Sequence, residues 1–151
     1  MRSSRPLLDG PEFHCIKDIV FHIVAVHDGW LHEDIRQEQP TLLTTPVLKD
    51  TQGGPAYAAV AIGTLLEYWK AVEQRTLTYL ATLTEDELQR IVIPHDAPDD
   101  RFTVDGLLWH IMIHEMRHTA QIVMLLRLQG IKPPSLDLYF CLPGMGSSPI
   151  E

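Results

Sequence analysis

Three long segments of the chain carry apolar residues at helical spacing, and no segment shows a convincing strand pattern. These segments cover residues 11–35, 55–83 and 103–129. A shorter helix is predicted to begin after Thr84, which has Glu87 three residues later in the pattern of a capping box. The sequence therefore predicts an all-α protein, a helical bundle with long connections between its main helices.

Start and stop signals support the ends of these segments. Pro11 suits the first turn of a helix, and the side chain of Thr103 can cap the helix that follows it. Gly130 followed by Pro133 is the usual order of residues at the end of a helix. The stretch 36–54, with two prolines and a closing Gly-Gly, is predicted to be a long connection.

Length and charge narrow the class of protein. A chain of 151 residues fits one domain, 1–151, with a core of its own. The formal net charge of −8 argues against binding to nucleic acid or to an anionic membrane surface. The two cysteines form no CxxC motif, so we expect a reducing cytoplasm. The longest nearly apolar run is shorter than the roughly 20 residues of a membrane-spanning helix.

Three of the eight histidines lie in the last helical segment, at His110, His114 and His118. At about 1.5 Å per residue, His110 and His118 lie roughly 12 Å apart along the axis, too far to share one ion. Neighbours four residues apart lie on one face of a helix and can share it. Helix geometry therefore permits His110 with His114 or His114 with His118, and a third ligand should come from elsewhere.

The other five histidines are candidates for that third ligand. Helical periodicity places His27 near the middle of the apolar stripe of the first segment and His22 towards its edge, which mildly favours His27. His14 and His32 fall on the polar side, where we expect them to be solvated. His95 lies among prolines and aspartates and is predicted to be a loop residue.

The sequence "HEMRH" at 114–118 also fits the H-E-x-x-H motif, in which the two histidines hold zinc and the glutamate, here Glu115, acts as a base. Enzymes of this type commonly have a third ligand downstream, and no histidine follows His118. The predicted fold also lacks a strand that could bind an extended peptide. A zinc protease is therefore the less favoured interpretation.

The surroundings of these histidines resemble the DinB/YfiT-like family of metal-binding four-helix bundles. The last helix of that family typically carries a pattern like HxxxHRGQ, then a leucine-rich stretch, a glycine and a proline-containing turn. Here His114, His118 and Gln121 stand in the matching places. The segment "DIVFHIVAVHDGWL" is similar to the family's LLxHIxxxExxWL, with His22 and Trp30 at the matching positions.

The resemblance covers residues 16–142 and implies that three histidines bind one divalent metal ion: His22, His114 and His118. It places His27 where the family often has an acidic residue, and it leaves His110 in a supporting position. Metal-bound histidines usually donate their other N–H to a neighbouring group. Three residues are candidates for such partners: His27, Asp28 and Glu115.

Function is implied only through the same resemblance. It suggests a metal-dependent enzyme acting on a small molecule, either a hydrolase that activates water or a transferase that uses a low-molecular-weight thiol. Zinc or nickel is the expected ion, with iron or manganese as alternatives. A second interpretation is a non-catalytic, stress-related bundle that binds metal, and an H-E-x-x-H hydrolase is the third.

One departure from the family pattern concerns the start of the chain. Family members usually have another helix before the one that carries the first ligand, whereas ten residues precede Pro11 here. We therefore expect a four-helix-bundle type of fold whose first helix is short or missing. A partner chain or the C-terminal tail could cover the gap, and the sequence also predicts a homodimer.

Overall fold

Helices dominate the part of the chain that the computed structural model describes, residues 15–48 and 60–134. The long helices are α1 (Ile16–Asp28), α3 (Ile62–Leu80) and α5 (Val104–Leu128), and the short ones are α2 (Thr41–Thr44) and α4 (Glu85–Gln89). A π-helical segment, Gly29–Ile35, continues α1 without a break. Strands β1 (Ile91–Val92) and β2 (Phe102–Thr103) pair antiparallel.

The all-α prediction is confirmed, with three differences in detail. The two-stranded pairing was not predicted, because each strand has only two residues and shows no period. Helix α3 begins at Ile62, because Ala61 inside the predicted segment has extended backbone, and the predicted start at Pro55 lies outside the described residues. The predicted connection 36–54 contains the short helix α2. The predicted start at Pro11 lies outside the described residues.

Three predicted helix ends are confirmed by their hydrogen bonds. The hydroxyls of Thr84 and Thr103 each accept a backbone N–H from the first turn of the helix they precede, at 3.2 and 3.1 Å. After α5, Gly130 adopts a φ of 74°, which favours glycine because a side chain there would be strained. The N–H of Ile131 then donates to the carbonyl of Leu126 at 2.9 Å, as in a Schellman motif.

Helix α1 packs against both α3 and α5. One core joins α1, α2 and α3 through buried side chains: Phe21, Val24, Leu42, Leu48, Val60, Leu65, Tyr68 and Val72. A second core joins the π-helical segment to the end of α3 and the start of α5: Leu31, Ile35, Tyr79, Val92, Val104, Leu107 and Ile111. Burying one such large apolar side chain stabilises the fold by about 1.5–3 kcal/mol.

The prediction that His32 is solvated is wrong, because its side chain is fully buried. The i→i+5 hydrogen bonds of a π-helix widen the turn, so residues in Gly29–Ile35 no longer follow the α-helical period. His32 lies four residues after the buried Asp28, on a helix that is buried on more than one face. Its Nδ1–H donates to the carboxylate of Asp28 at 2.7 Å, and both side chains are 0% exposed.

Asp28 anchors the start of α2. Its carboxylate accepts the backbone N–H groups of Thr41 and Leu42 at 3.0 and 2.8 Å and the hydroxyl of Tyr68 at 2.9 Å. Burial alone would raise the pKa of Asp28, but the hydrogen bonds from His32, these two N–H groups and Tyr68 outweigh it and lower that pKa. Asp28 is therefore a buried, ionised residue that supports the fold.

The outward face of α5 carries exposed large apolar residues: Trp109, Met112, Ile113, Met116, Met124 and Leu128. Its buried residues are few, among them Leu107, Ile111 and His118. Within the described ranges, no helix combines the length and apolarity needed to cross a membrane. Helix α5 is therefore apolar on a face that these ranges leave exposed.

Candidate metal centre

Helices α1 and α5 meet along one antiparallel interface that carries most of the histidines. Residues later in α1 meet residues earlier in α5, at three successive levels: His22 with His114 and His118, His27 with Glu115, and Trp30 with His110. The first level consists of imidazole rings alone. Among the described residues, it brings together three side chains of metal-ligand type.

The rings of His22, His114 and His118 form a close cluster. One ligand atom from each lies within 4.8 Å of the others, and this group could hold a metal ion. The centroids of the three ring pairs are 4.4–5.0 Å apart. His118 is only 4% exposed, and the other two rings are half-buried. The cluster therefore lies largely within the α1–α5 interface.

The spacing of the ring nitrogens fits a shared ion. Two nitrogens bound at 2.0–2.1 Å to one tetrahedral ion lie about 3.3 Å apart. The Nε2 atoms of His22 and His114 are 3.1 Å apart. Two lone pairs cannot face each other at this distance without a proton or a cation between them, so the arrangement suits metal binding.

His114 is held in the neutral form that a metal ligand requires. Burial lowers the pKa of His114 to about 3, and the neighbouring His118, His22, Arg117 and His110 add to the effect. Its Nδ1 is buried and has no hydrogen-bond partner among the described residues. A neutral imidazole keeps a lone pair for a metal ion, which a protonated ring would lack.

The tautomer of His118 is set by its own helix. The amide oxygen of Gln121 lies 2.8 Å from Nδ1 of His118 and can only accept, so Nδ1 carries the proton. The Arg117 guanidinium lies 3.4 Å from Nε2 and can only donate, which agrees with a lone pair there. Sequence reasoning placed Gln121 through the family resemblance alone, and the structure shows its contact with the cluster.

Of the two histidine pairs that helix geometry permits, the structure clusters His114 with His118. The ring of His110 is 6.3 Å from that of His114, against 4.4 Å for His118. His110 is exposed and contacts Trp30 edge-on instead, at 5.2 Å. It therefore lies beside the cluster, in the supporting position that the resemblance implies.

The structure brings His22 into the cluster rather than His27, which periodicity mildly favoured. His27 instead contacts Glu115 through Nδ1 at 2.5 Å and Thr76 through Nε2 at 2.9 Å. Periodicity ranks residues by burial, whereas a ligand must also face the histidines of the other helix. The pairing of His27 with Glu115 was missed, since it depends on how α1 and α5 are placed together.

The remaining predicted residues lie elsewhere. Asp28 was a candidate partner of the ligands, but its hydrogen bonds go to His32, Tyr68 and the start of α2. His95 is an exposed loop residue, as predicted, and contacts Asp96. His14 lies outside the described residues. Neither Asp28 nor His95 is placed in the cluster.

Comparison with known proteins agrees with the fold. No curated protein matches the chain. The DinB family matches residues 4–143, which is most of the chain and includes all three clustered histidines. The resemblance predicted from the sequence is thereby confirmed, and the chain belongs to the DinB family.

Proposed function

We propose that this protein is a metal-dependent enzyme in which His22, His114 and His118 hold one divalent ion. The observation that carries the proposal is the convergence of their ring nitrogens within 4.8 Å, in an interface that holds His114 neutral. Zinc or nickel is the expected ion, because imidazole suits both, with iron or manganese as alternatives. The substrate is a small molecule.

The three histidines would give a bound ion the charge and the open position that a Lewis acid needs. Three neutral imidazoles leave the positive charge of an ion uncompensated, and three protein ligands leave a position open for a further group. A bound ion would act there as a Lewis acid that lowers the pKa of water or of a thiol. Gln121 orients His118 towards the cluster. The reaction we propose is hydrolysis, or transfer of a low-molecular-weight thiol.

The position of Glu115 weighs against the H-E-x-x-H interpretation. One carboxylate oxygen of Glu115 is held by His27, on the level of the interface next to the histidine cluster. A base in such an enzyme must instead reach the reacting water. A Glu115→Gln variant that lost all hydrolytic activity while it kept its full metal content would bring that interpretation back.

A second candidate function is metal binding without catalysis, in a stress-related bundle. The burial of His118, which is 4% exposed, favours it because a catalytic site must admit substrate. The two functions can be separated with cobalt in place of the native ion. Azide that changes the visible spectrum of the cobalt protein would indicate an open position, and an unchanged spectrum would favour the non-catalytic function.

Metal analysis is the primary test. Protein purified without chelators should carry a stoichiometric divalent ion, and the His114→Ala variant should lose it. His95→Ala is the matched control, because it removes an exposed loop histidine and should keep the ion. Unmodified protein without stoichiometric metal, or a His114→Ala variant that keeps it, would contradict the proposal.

Activity should then be screened on the metal-loaded protein. Low-molecular-weight thiols with electrophilic acceptors test for transfer, and small esters and amides test for hydrolysis. We expect turnover in one class that disappears in His114→Ala and persists in His95→Ala. Turnover that is equal in the two variants would show that the histidine cluster is not its source.

We further propose that residues 1–151 form one domain and that the protein is a homodimer. The two cores share α1 and its π-helical extension, which supports a single unit. The apolar outward face of α5 supports association, because large exposed apolar patches often mark protein interfaces. Sedimentation should show a dimer at micromolar concentration, and a folded monomer would contradict this part of the proposal.

A further inference from the structure

The side chain of His27 links all three long helices. It lies on α1, and its Nδ1 contacts the Glu115 carboxylate on α5 at 2.5 Å. Its Nε2 contacts the hydroxyl of Thr76 on α3 at 2.9 Å. The side chain of His27 is 16% exposed and that of Glu115 36%, so water screens the contact only in part. We call His27, Thr76 and Glu115 the three-helix link.

The hydrogen-bond roles within the three-helix link follow from its neighbours. The hydroxyl of Thr76 donates to the carbonyl of Val72 at 2.8 Å, so its oxygen accepts from Nε2–H of His27. The Glu115 carboxylate accepts from Nδ1–H. A carboxylate acceptor makes the hydrogen bond from the imidazole stronger than one between neutral groups.

The three-helix link lies one level from the histidine cluster. Glu115 follows His114 directly, about 100° further round α5, and His27 lies about 7.5 Å along α1 from His22. Two contacts at different heights and angles restrict both the rotation of α5 and its sliding along α1. A small rotation of α5 would separate the ring nitrogens of His22 and His114, which are 3.1 Å apart.

We propose that His27 and Glu115 are positioning residues that hold α5 in the rotation at which His22, His114 and His118 converge, and that they thereby set the metal affinity of the cluster. The inference rests on the proposed function. It concerns two residues outside the group of three clustered histidines, which act through the helix that carries two of the ligands.

Zinc affinity of the full-length protein tests the proposal directly. The metal is removed, and zinc is returned in competition with a chromophoric chelator. Glu115→Gln and His27→Gln keep side chains of similar size and remove the contact between the imidazole and the carboxylate. Each should weaken zinc binding about 10- to 100-fold, the usual effect of changing groups that orient metal ligands. The zinc affinity of the double variant should be no lower than that of the more weakly binding single variant. This is expected because the two residues act through one shared contact.

The matched control is Glu87→Gln on α4, which also breaks an ion pair, that of Glu87 with Arg90. It should leave the zinc dissociation constant within about 2-fold of the unmodified value. Cobalt at saturating concentration gives a second readout. Its visible spectrum should shift in Glu115→Gln and stay unchanged in Glu87→Gln, because a loss of stability alone does not alter the geometry around the ion.

Two outcomes would overturn the positioning role alone. One is zinc affinity within 2-fold of unmodified protein in both Glu115→Gln and His27→Gln. The other is an equal loss in Glu87→Gln, which would indicate general destabilisation. Circular dichroism shows whether Glu115→Gln folds. If it does not, Thr76→Val removes the other contact of His27 and should still weaken zinc binding. Unchanged zinc affinity in Thr76→Val would then decide against the proposal. Unmodified protein that binds no zinc would overturn the proposed function as well.

Discussion

His22 and His32 lie on the same continuous helix, formed by α1 and its π-helical extension, yet they contact partners of different chemical type. His32 is the more buried of the two, and its Nδ1–H donates to Asp28, a carboxylate already held by backbone N–H groups. His22 faces two other imidazoles across the interface of α1 with α5. Burial therefore does not distinguish a candidate metal ligand from a structural histidine. The chemistry of its partner does.

The largest expected effect comes from breaking the Asp28–His32 region. Asp28→Asn replaces an acceptor-only carboxylate with an amide that cannot accept all four hydrogen bonds. Because the site is fully buried, we expect a loss of about 3–5 kcal/mol in the free energy of unfolding. Urea unfolding at pH 7 measures it, with the exposed Asp99→Asn as control. A loss below about 1 kcal/mol would show that Asp28 is not an anchor.

At the histidine cluster, we expect the free energy of unfolding to depend on whether a metal ion is bound. An ion that binds only the folded state stabilises it by about 2.7 kcal/mol at a free concentration 100 times its dissociation constant. Zinc should therefore raise the free energy of unfolding of the unmodified protein and of Asp28→Asn alike, and should not raise that of His114→Ala. A zinc effect abolished by Asp28→Asn would mean that the two regions are one site.

Acid should weaken the Asp28–His32 region in a defined window. The pKa of Asp28 is lower in the folded state than the ordinary value of 3.8, so the unfolded chain binds more protons in acid. The contribution of Asp28 is complete above pH 3.8 and is lost as the pH falls below it. The difference in unfolding free energy between unmodified protein and Asp28→Asn should thus shrink from pH 5 to pH 3. A constant difference would contradict this.

A second carboxylate allows the same test outside the core. Hydrogen bonds from Arg90 lower the pKa of Glu87 to about 2, against 4.5 ordinarily, despite some opposition from burial. Its contribution is therefore complete above pH 4.5 and is lost as the pH falls towards 2. Glu87→Gln should make the unfolding free energy less sensitive to pH in that window. Because the pair is partly exposed, the effect should be smaller than that of Asp28.

The smallest expected effect concerns the exit from the π-helical segment. Gln37 adopts a φ of 55°, a conformation that costs a residue with a side chain about 1–2 kcal/mol. Gln37→Gly removes this strain, and the greater freedom of glycine in the unfolded state offsets part of the gain. We expect a net stabilisation of about 0.5–1 kcal/mol by urea unfolding. A loss would show that Gln37 makes a compensating contact.

Local rules in the sequence predicted several features correctly. Thr84, Thr103 and Gly130 mark helix ends because capping depends on residues within one or two turns. Helix geometry reduced the three histidines of α5 to adjacent pairs, because the rise per residue is the same in every α-helix. These predictions needed no knowledge of how the helices pack.

Features that depend on packing were not predictable in this way. The inward position of His32 arises because this helix is buried on more than one face, whereas the apolar stripe in the sequence marks only one of them. The choice of His22 over His27 depends on which α1 residue faces α5. The link from His27 to Thr76 and Glu115 joins residues far apart in the chain. A single sequence carries no local signal for such contacts.

The π-helical segment also has a consequence for how the two cores are connected. Upstream of it, Phe21 and Val24 of α1 point into the first core, and within it Leu31 and Ile35 point into the second. One continuous helix thus contributes side chains to both hydrophobic cores, without a loop between its two parts. Forcing Gly29–Ile35 into α-helical geometry would rotate everything downstream, because an α-helix turns further per residue than a π-helix. His22 would keep its place, while Leu31 and Ile35 would leave the core that they fill.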